Sequence, residues 1–178
     1  LFNEQMYYVA YQRIYAKPGN MTAGADGKTI DQMSLSRIEK LINSLKDESY
    51  QPQPSKRVYI PKKNGKMRPL GVPAFNDKLL QEVVRTILDA IYERQFEKTS
   101  HGLRAQRSCH TALTEVQKTF SGVKWFVEGD IKGFFDNINH EILIGVLKER
   151  IADERFIRLI RKFLNAGYIE NWNFHNSY

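Results

Sequence analysis

This 178-residue sequence has only one cysteine and no long apolar run. Its single cysteine, Cys109, excludes an internal disulfide and an all-cysteine metal site, which predicts a reducing compartment. No apolar run approaches the roughly 20 residues that a membrane-spanning helix requires, so no membrane partner is expected. The chain carries no signal-peptide pattern and starts at Leu1 without methionine, and it is interpreted as an excised piece.

Acidic residues are the scarcer charge, with 20 Asp and Glu against 27 Lys and Arg, for a net charge of +7. This excess favours a polyanionic partner such as nucleic acid. Hydrophobic residues make up 42% of the chain and aromatic residues 12%, which is typical of a globular protein and not of a disordered one. The length predicts one domain, or one and a part, with a real core.

The stretch from Lys124 to His140 combines the features around which the chain is organised. Its residues 125–127 (Trp-Phe-Val) are strand formers, which predicts a buried strand that Ile131 extends. Asp130 comes at the end of that strand, where a carboxylate is costly unless it has a partner such as a divalent cation. The alternative is a strand-to-helix turn in which Asp130 only caps backbone amides.

Apolar residues at helical spacing predict six helices. They are expected over 3–17, after Ser34, over about 76–94, after Ser108, from His140 with Asp136 or Asn139 as cap, and after Asp153. The helix after Ser108 is expected to pack its apolar face inward, with Cys109 also packed. That face consists of Ala112, Leu113, Val116 and Phe120, and the face of the helix from His140 consists of Ile142, Leu143, Val146, Leu147 and Ile151.

A hairpin is predicted where two short apolar runs, 58–60 and 67–72, flank Asn64-Gly65, a pair that favours a two-residue type I′ turn. Prolines in these runs predict edge strands. Four cations lie close together in the hairpin, Lys62, Lys63, Lys66 and Arg68, and an anionic group would neutralise their repulsion. The alternative is a solvated charged hairpin.

Two loops and the tail complete the pattern. A glycine-rich loop spans 19–29, and a basic loop at 100–108 places Arg104 and Arg107 at a helix N-terminus, where backbone amides also favour phosphate. A plain surface loop is the alternative for the basic loop. The aromatic tail, 168–178, is interpreted as a strand without a partner.

Several ordered blocks of this sequence resemble successive blocks of reverse transcriptases, in the version found in group II intron-encoded reverse transcriptases, or maturases. They are residues 57–73, 77–81, 101–108 and 129–138, together with the loop 24–27 and Ala166-Gly167. The resemblance covers nearly the whole chain. It implies an α+β fold, with the fingers of a right-hand polymerase at 1–120, helices around a small antiparallel sheet, a helix 76–94 packing toward the palm, and the start of the palm at 121–178.

The resemblance also implies roles for individual residues. Asp130 matches the first metal-binding aspartate, beside the backbone carbonyl of Ile131. Phe135, with Phe134 as the alternative, matches the aromatic under the incoming sugar. Arg68, and more weakly Lys62 and Lys66, match groups on the incoming triphosphate, and the implied nucleic-acid contacts are Lys63, Arg104, Arg107, Gly24 and Lys28. The basic loop departs from its relatives, with Leu103 and Ala105-Gln106 where they usually have Phe and Pro-Gly.

The implied function is that of an RNA-directed DNA polymerase encoded by a group II intron, with Mg²⁺ as cofactor. The implied partners are group II intron RNA, an RNA template, a DNA primer and deoxynucleoside triphosphates, in a bacterial cytoplasm or, as the alternative, an organelle. The family's Tyr-Ala-Asp-Asp turn does not occur, so residues 1–178 alone are expected to be catalytically inactive. The alternative function is a splicing-only RNA-binding maturase module without polymerase activity.

Overall fold

The computed structural model describes residues 1–63 and 65–176. Over these residues it contains six α-helices and four strands, with three short 3₁₀ turns at Ile30–Gln32, Glu93–Gln95 and Phe135–Asn137. None of the described helices is both long and apolar enough to cross a bilayer. In chain order the elements are α1 (Glu4–Tyr15), α2 (Leu35–Lys46), β1 (Ser55–Pro61), β2 (Met67–Val72), α3 (Phe75–Tyr92), α4 (Cys109–Thr119), α5 (His140–Lys148), α6 (Glu154–Leu164), β3 (Tyr168–Glu170) and β4 (Asn173–His175).

The chain divides into two compact units. The first comprises Leu1–Arg85 with Asp136–Tyr178, and the second comprises Thr86–Phe135. Every buried hydrophobic side chain that the structure describes belongs to the first unit, whereas no described residue of the second unit is buried. The division into fingers and palm at residue 120 is a functional assignment, and it stays a prediction.

Local capping chemistry sets the helix starts, as the sequence predicts. The Ser34 hydroxyl accepts from the Arg37 amide at 3.3 Å and begins α2. Asn139, one of the two predicted caps, begins α5 by accepting from the amides of Glu141 and Ile142, and Asp153 caps α6. Each cap satisfies backbone donors that the first helical turn leaves unpaired.

The core of the first unit is formed by one face of each of its helices. The apolar face of α2, formed by Ile38, Leu41, Ile42 and Leu45, is buried, with Ile38 fully inaccessible. The predicted face of α5 is partly wrong, because Ile142 and Val146 are exposed while Ile144 and Leu147 are buried. These two buried residues lie three positions apart, so they share a helix face, and α5 is a short helix that turns only this narrow face inward.

The strands form one sheet in the order β2-β1-β3-β4. The predicted β1–β2 hairpin is confirmed, and β2, which contains Pro69, lies at the sheet edge. The expectation that the tail strand has no partner is wrong: β3 pairs in parallel with β1, where Ser55 faces Tyr168, and it pairs antiparallel with β4. The preceding helix, α6, ends at Leu164 with Asn165 as its C-cap. Gly167, at φ 69°, lies between α6 and β3, and its carbonyl accepts from the Ser55 amide at 3.1 Å.

In the second unit, α4 begins where the sequence predicts but does not pack as predicted. Ser108 and Thr111 form a reciprocal capping box at its start. Leu113, Val116 and Phe120 are predicted to face inward but are 64%, 44% and 50% exposed. Cys109, predicted to pack, is an exposed free thiol. Spacing defines an apolar face, but burial requires a partner surface, and the described part of this unit buries no residue.

The predicted buried strand at 125–127 is also wrong. The chain from Val123 to Ile131 is irregular, and Trp125, Val127 and Ile131 are 89%, 101% and 70% exposed. A strand exists only where its backbone groups pair with a neighbour. The four described strands pair with one another, and none of them pairs with this segment. Residues 125–127 therefore have the composition of a strand, but among the described residues no strand pairs with them.

Candidate nucleic-acid interface

The basic hairpin turns through a tight connection between β1 and β2. The Lys62 amide donates to the Lys66 carbonyl at 2.7 Å, and the Gly65 amide donates to the Lys62 carbonyl at 3.0 Å. This is a three-residue connection with Gly65 in the left-handed region at φ 77°, in place of the predicted two-residue type I′ turn. Asn64, the other residue of that predicted turn, lies outside the described residues.

The hairpin brings three of the predicted cations to one cleft. Lys62, Lys63 and Arg68 line a surface cleft of about 440 Å³, whose apolar walls are Ile60 and Pro61. The strand register opposes Arg68 to Ile60, one residue pair away from the pair Pro61–Met67 that borders the turn. Among the residues that the structure describes, the polar ones that line this cleft are all cations. A planar guanidinium with two ammonium groups is suited to phosphate oxygens.

The glycine-rich loop is held by close packing against the chain that follows β2. A Cβ on Gly24 would lie 2.6 Å from the Ala74 Cα and 2.6 Å from the Pro73 carbonyl oxygen, so only glycine is accommodated there. The loop then turns at Gly27, with φ 68°, and the Lys28 amide donates to Asp26 Oδ1 at 3.1 Å. Gly24 thus has a packing role, and Lys28 lies beside Arg37 and Lys40 of α2 at a second surface cleft.

Arg104 has an enclosed environment within the second unit. Its side chain is 10% exposed, and its guanidinium lies 5.3 Å from the Phe96 ring. Nε and Nη2 donate to the Glu93 carboxylate at 3.1 and 2.9 Å, Nη2 also donates to the Glu93 carbonyl at 3.2 Å, and Nη1 donates to the Glu97 and Ser100 carbonyls at 2.9 and 3.0 Å. All five guanidinium N–H donors are engaged.

Two residues of the basic loop have backbone angles that are uncommon for residues with a side chain. Leu103 and Gln106 have φ 57° and 59°, in the left-handed region that favours glycine. Both therefore hold the turn at a conformational cost. Leu103 is fully exposed. Arg107 is half-buried and donates to the Lys98 carbonyl.

The predicted palm residues lie on exposed chain. Asp130 is exposed, Ile131 is 70% exposed, and Phe135 is 83% exposed with its ring edge toward Phe134, at a centroid distance of 5.4 Å. The inference that Asp130 needs a cation because it is buried is therefore wrong, since its charge is hydrated. Its assigned role stays a prediction carried by the resemblance alone.

Asp130 as placed here does not form a metal site by itself. Over residues 1–63 and 65–176, no three His, Cys, Asp or Glu side chains form a group that could hold a metal ion. A hard cation requires several oxygen ligands, and one exposed carboxylate provides too few. Within the described chain, the residues present do not fit a complete metal centre.

Sequence reasoning missed a buried acid and a basic cluster in the first unit. Asp77, 3% exposed, accepts from the Tyr50 hydroxyl and from the Gln53 amide at 2.9 Å. Burial raises the pKa of Asp77, and burial beside Asp77 also raises the pKa of Tyr50. The sequence signal for the basic cluster is the spacing of Arg37 and Lys40, which lie one turn apart on α2 and follow the glycine-rich loop that carries Lys28.

The fold belongs to the class of right-hand nucleic-acid polymerase domains. It matches the chain titled "Cas6-RT-Cas1--Cas2 complex" with a TM-score of 0.57 and 23% sequence identity, over 98% of this chain and 18% of that one. The α+β arrangement of helices around a small sheet, predicted from the sequence, is thereby confirmed. The family model for reverse transcriptase (RNA-dependent DNA polymerase) matches residues 60–178, and the chain belongs to this family.

Curated relatives confirm the predicted resemblance to group II intron proteins. The chain is 55% identical over 179 aligned residues to the group II intron-encoded protein LtrA of Lactococcus lactis, covering all of this chain and 30% of that protein. It is 47% identical to an uncharacterized 91 kDa protein in the cob intron of Schizosaccharomyces pombe, over 95% of this chain and 21% of that protein. The chain therefore spans less than a third of the length of each of these two relatives.

Proposed function

We propose that this chain forms the fingers and the start of the palm of an RNA-directed DNA polymerase encoded by a group II intron, which binds its intron RNA for splicing and retrotransposition. The observation that carries the proposal is the cleft at the hairpin tip, where Lys62, Lys63 and Arg68 converge inside a chain similar over its whole length to LtrA. The bacterial relative supports a bacterial cytoplasm as its compartment.

Arg68 is assigned to the triphosphate of the incoming deoxynucleotide, with Lys62 and Lys66 supporting it and Lys63 facing nucleic acid. A guanidinium offers paired donors to phosphate oxygens, and the lysines add point charges.

In the basic loop, we assign the nucleic-acid contact to Arg107 and a loop-shaping role to Arg104. The five engaged donors of Arg104 support this division, because a phosphate could bind that guanidinium only by displacing partners already in place.

Reverse transcriptases in general require a divalent metal, and we propose that the ion is Mg²⁺. Asp130 and the backbone carbonyl of Ile131 would supply part of its oxygen ligands, and further carboxylates of the whole protein would supply the rest. Phe135, with Phe134 as the alternative, is assigned to the incoming sugar. This assignment rests on the matched motif at 129–138, within the region that the family model covers.

A splicing-only maturase module is the second candidate. Basic clefts such as that of Lys62, Lys63 and Arg68 favour it, because they bind RNA without any need for catalytic carboxylates. The two candidates differ in whether the whole protein extends a primer.

The test is single-turnover primer extension and intron RNA binding by the whole protein. Arg68→Ala should weaken apparent deoxynucleotide affinity about 10- to 100-fold, the equivalent of losing charge-assisted hydrogen bonds, and Arg68→Lys should recover only part of the loss. Arg94→Ala, which removes an exposed arginine outside the cleft, is the matched control and should resemble wild type. Wild-type protein that binds RNA but extends nothing would support the splicing-only candidate, and Arg68→Ala with wild-type nucleotide affinity would refute the assigned role.

A further inference from the structure

A second basic cleft lies in the first unit, away from the hairpin tip. It has a volume of about 360 Å³ and lies between the glycine-rich loop, α2 with the residues that flank it, and the start of α3. Its lining consists of three cations, three serines and three other residues. They are Lys28, Arg37 and Lys40, then Ser34, Ser36 and Ser44, and finally Leu41, Tyr50 and Asn76.

Arg37 is fixed at this cleft by contacts on two sides. Its Nε donates to Asn76 Oδ1 at 2.6 Å, and its guanidinium lies 4.7 Å from the centre of the Phe75 ring. Burial lowers the pKa of Arg37, an effect that the nearby Asp26 carboxylate opposes. A guanidinium that is already oriented and partly desolvated loses little freedom when it binds an anion, and its attraction is less screened by water.

The charge balance of the lining favours an anion. Among the described residues, none that lines the cleft carries a carboxylate. The Ser44 hydroxyl donates to the Leu41 carbonyl at 2.7 Å, whereas the Ser34 and Ser36 hydroxyls lie 3.3 Å apart, so that one of the two can donate to an anionic oxygen while the other donates to its neighbour. The N-terminus of α2, capped by Ser34, adds a partial positive charge. Two acids lie nearby, and both have partners: Asp26 accepts from the Lys28 amide, and Asp77 accepts from the Tyr50 hydroxyl and the Gln53 amide.

We propose that this cleft binds a phosphate group of the RNA backbone, with Lys28 and Lys40 as its exposed charges and Arg37 as its fixed fork. The inference deepens the proposed function and rests on it, because the family supplies nucleic acid as the anion. Backbone phosphate is favoured over an acidic peptide because a tetrahedral oxyanion can take donors from the fork, a serine hydroxyl and the lysines together. The cleft would give the protein an RNA contact separate from the hairpin cleft.

The first measurement is binding of an RNA hairpin by this chain across a salt series, with Lys40→Ala, Lys28→Ala, the double variant and wild type. Removing one phosphate-binding lysine should reduce the log–log salt slope by about 0.7–0.9. Lys46→Ala is the matched control, because Lys46 is an exposed lysine on the same helix outside the cleft. Lys40→Glu should weaken binding further than Lys40→Ala, while Lys46→Glu should have a smaller effect.

Two further probes separate the possible anions. Inorganic tripolyphosphate should compete with RNA for wild type and much less for the double variant. If tripolyphosphate binds the cleft while the RNA salt slope stays the same in both lysine variants, the cleft takes free phosphates and the RNA assignment is overturned. The RNA assignment would also be overturned if an oligoglutamate peptide displaced the bound RNA hairpin more effectively than unlabelled RNA does.

The outcome is distinguishable from failure of the proposed function. If wild-type protein binds no RNA, the proposed function fails. If wild type binds RNA and the Lys28 and Lys40 variants match Lys46→Ala, only the cleft assignment fails. A thermal melt of each variant checks folding, which should be unchanged because Lys28 and Lys40 are exposed.

Discussion

Replacing Arg104 by alanine tests whether this cation builds the basic loop or binds nucleic acid directly. In the structure its five N–H donors hold the Glu93 carboxylate and three backbone carbonyls, so the side chain joins the end of α3 to the loop before α4. Alanine removes all of these interactions at once. We expect the loop to open locally, and the RNA contact at Arg107 to weaken as a consequence.

The expected cost follows from the hydrogen bonds that alanine cannot make. Hydrogen bonds from a charged donor contribute about 1.5–3 kcal/mol each when buried, and they do not add simply. The Glu93 side chain is 40% exposed, so its ion pair is discounted to about 1 kcal/mol. The partly buried carbonyls of Glu93 and Ser100 and the exposed carbonyl of Glu97 lose their donors as well. The free energy of local opening should therefore fall by about 2–4 kcal/mol.

Amide hydrogen exchange over residues 93–108 measures this opening. Exchange there should accelerate by roughly 30-fold to several-hundred-fold, since about 1.4 kcal/mol corresponds to a factor of ten. Amides of α2, in the first unit, should keep their wild-type rates. Arg104→Lys should recover less than half of the protection, because an ammonium lacks the planar fork, and Arg94→Ala is the control. Unchanged exchange, combined with a salt slope reduced by about 0.7–0.9, would refute the reasoning and show a direct phosphate contact.

Two other changes test the packing of the first unit. Gly167→Ala should lower the free energy of unfolding by about 2–4 kcal/mol in urea titration, because a Cβ would lie 2.4 Å from the His175 carbonyl and φ is 69°; an unchanged midpoint would contradict this. Asp77 should make the free energy of unfolding depend on pH, because burial raises the pKa of this carboxyl in the folded protein. Its contribution to the free energy of unfolding is full below the unfolded pKa of about 3.9, and it is lost as the pH rises through the pKa of the folded protein. Asp77→Asn should remove that decline, and a parallel pH profile for variant and wild type would count against it.

Local chemistry explains what the sequence predicts well. The caps Ser34, Ser108 and Asp153 depend on a side chain and amides two or three residues away, so the chain specifies them without tertiary information. The hairpin is predictable for the same reason, although its turn differs by one residue because Gly65 takes the left-handed position of a three-residue connection.

Interactions between distant residues account for what the sequence does not predict. The tail strand finds its partner in β1, more than a hundred positions earlier, and no periodicity announces that pairing. The strand predicted at 125–127 and the apolar face of α4 have the expected composition but no partner surface among the described residues. The resemblance implies a nucleic-acid contact for Arg104, and the sequence of the loop carries no sign of the three carbonyls that surround this guanidinium.

The most direct test of the central claim is Asp130→Asn in the whole protein, with single-turnover extension and RNA affinity measured side by side. The substitution keeps the size of the side chain and removes the negative charge that the proposal assigns to metal binding. Extension should fall at least about 100-fold, the equivalent of several kcal/mol of transition-state stabilisation. RNA affinity should stay unchanged, because the basic clefts remain intact. Extension at the wild-type rate would contradict the polymerase assignment of Asp130 and leave this residue as part of an ordinary turn.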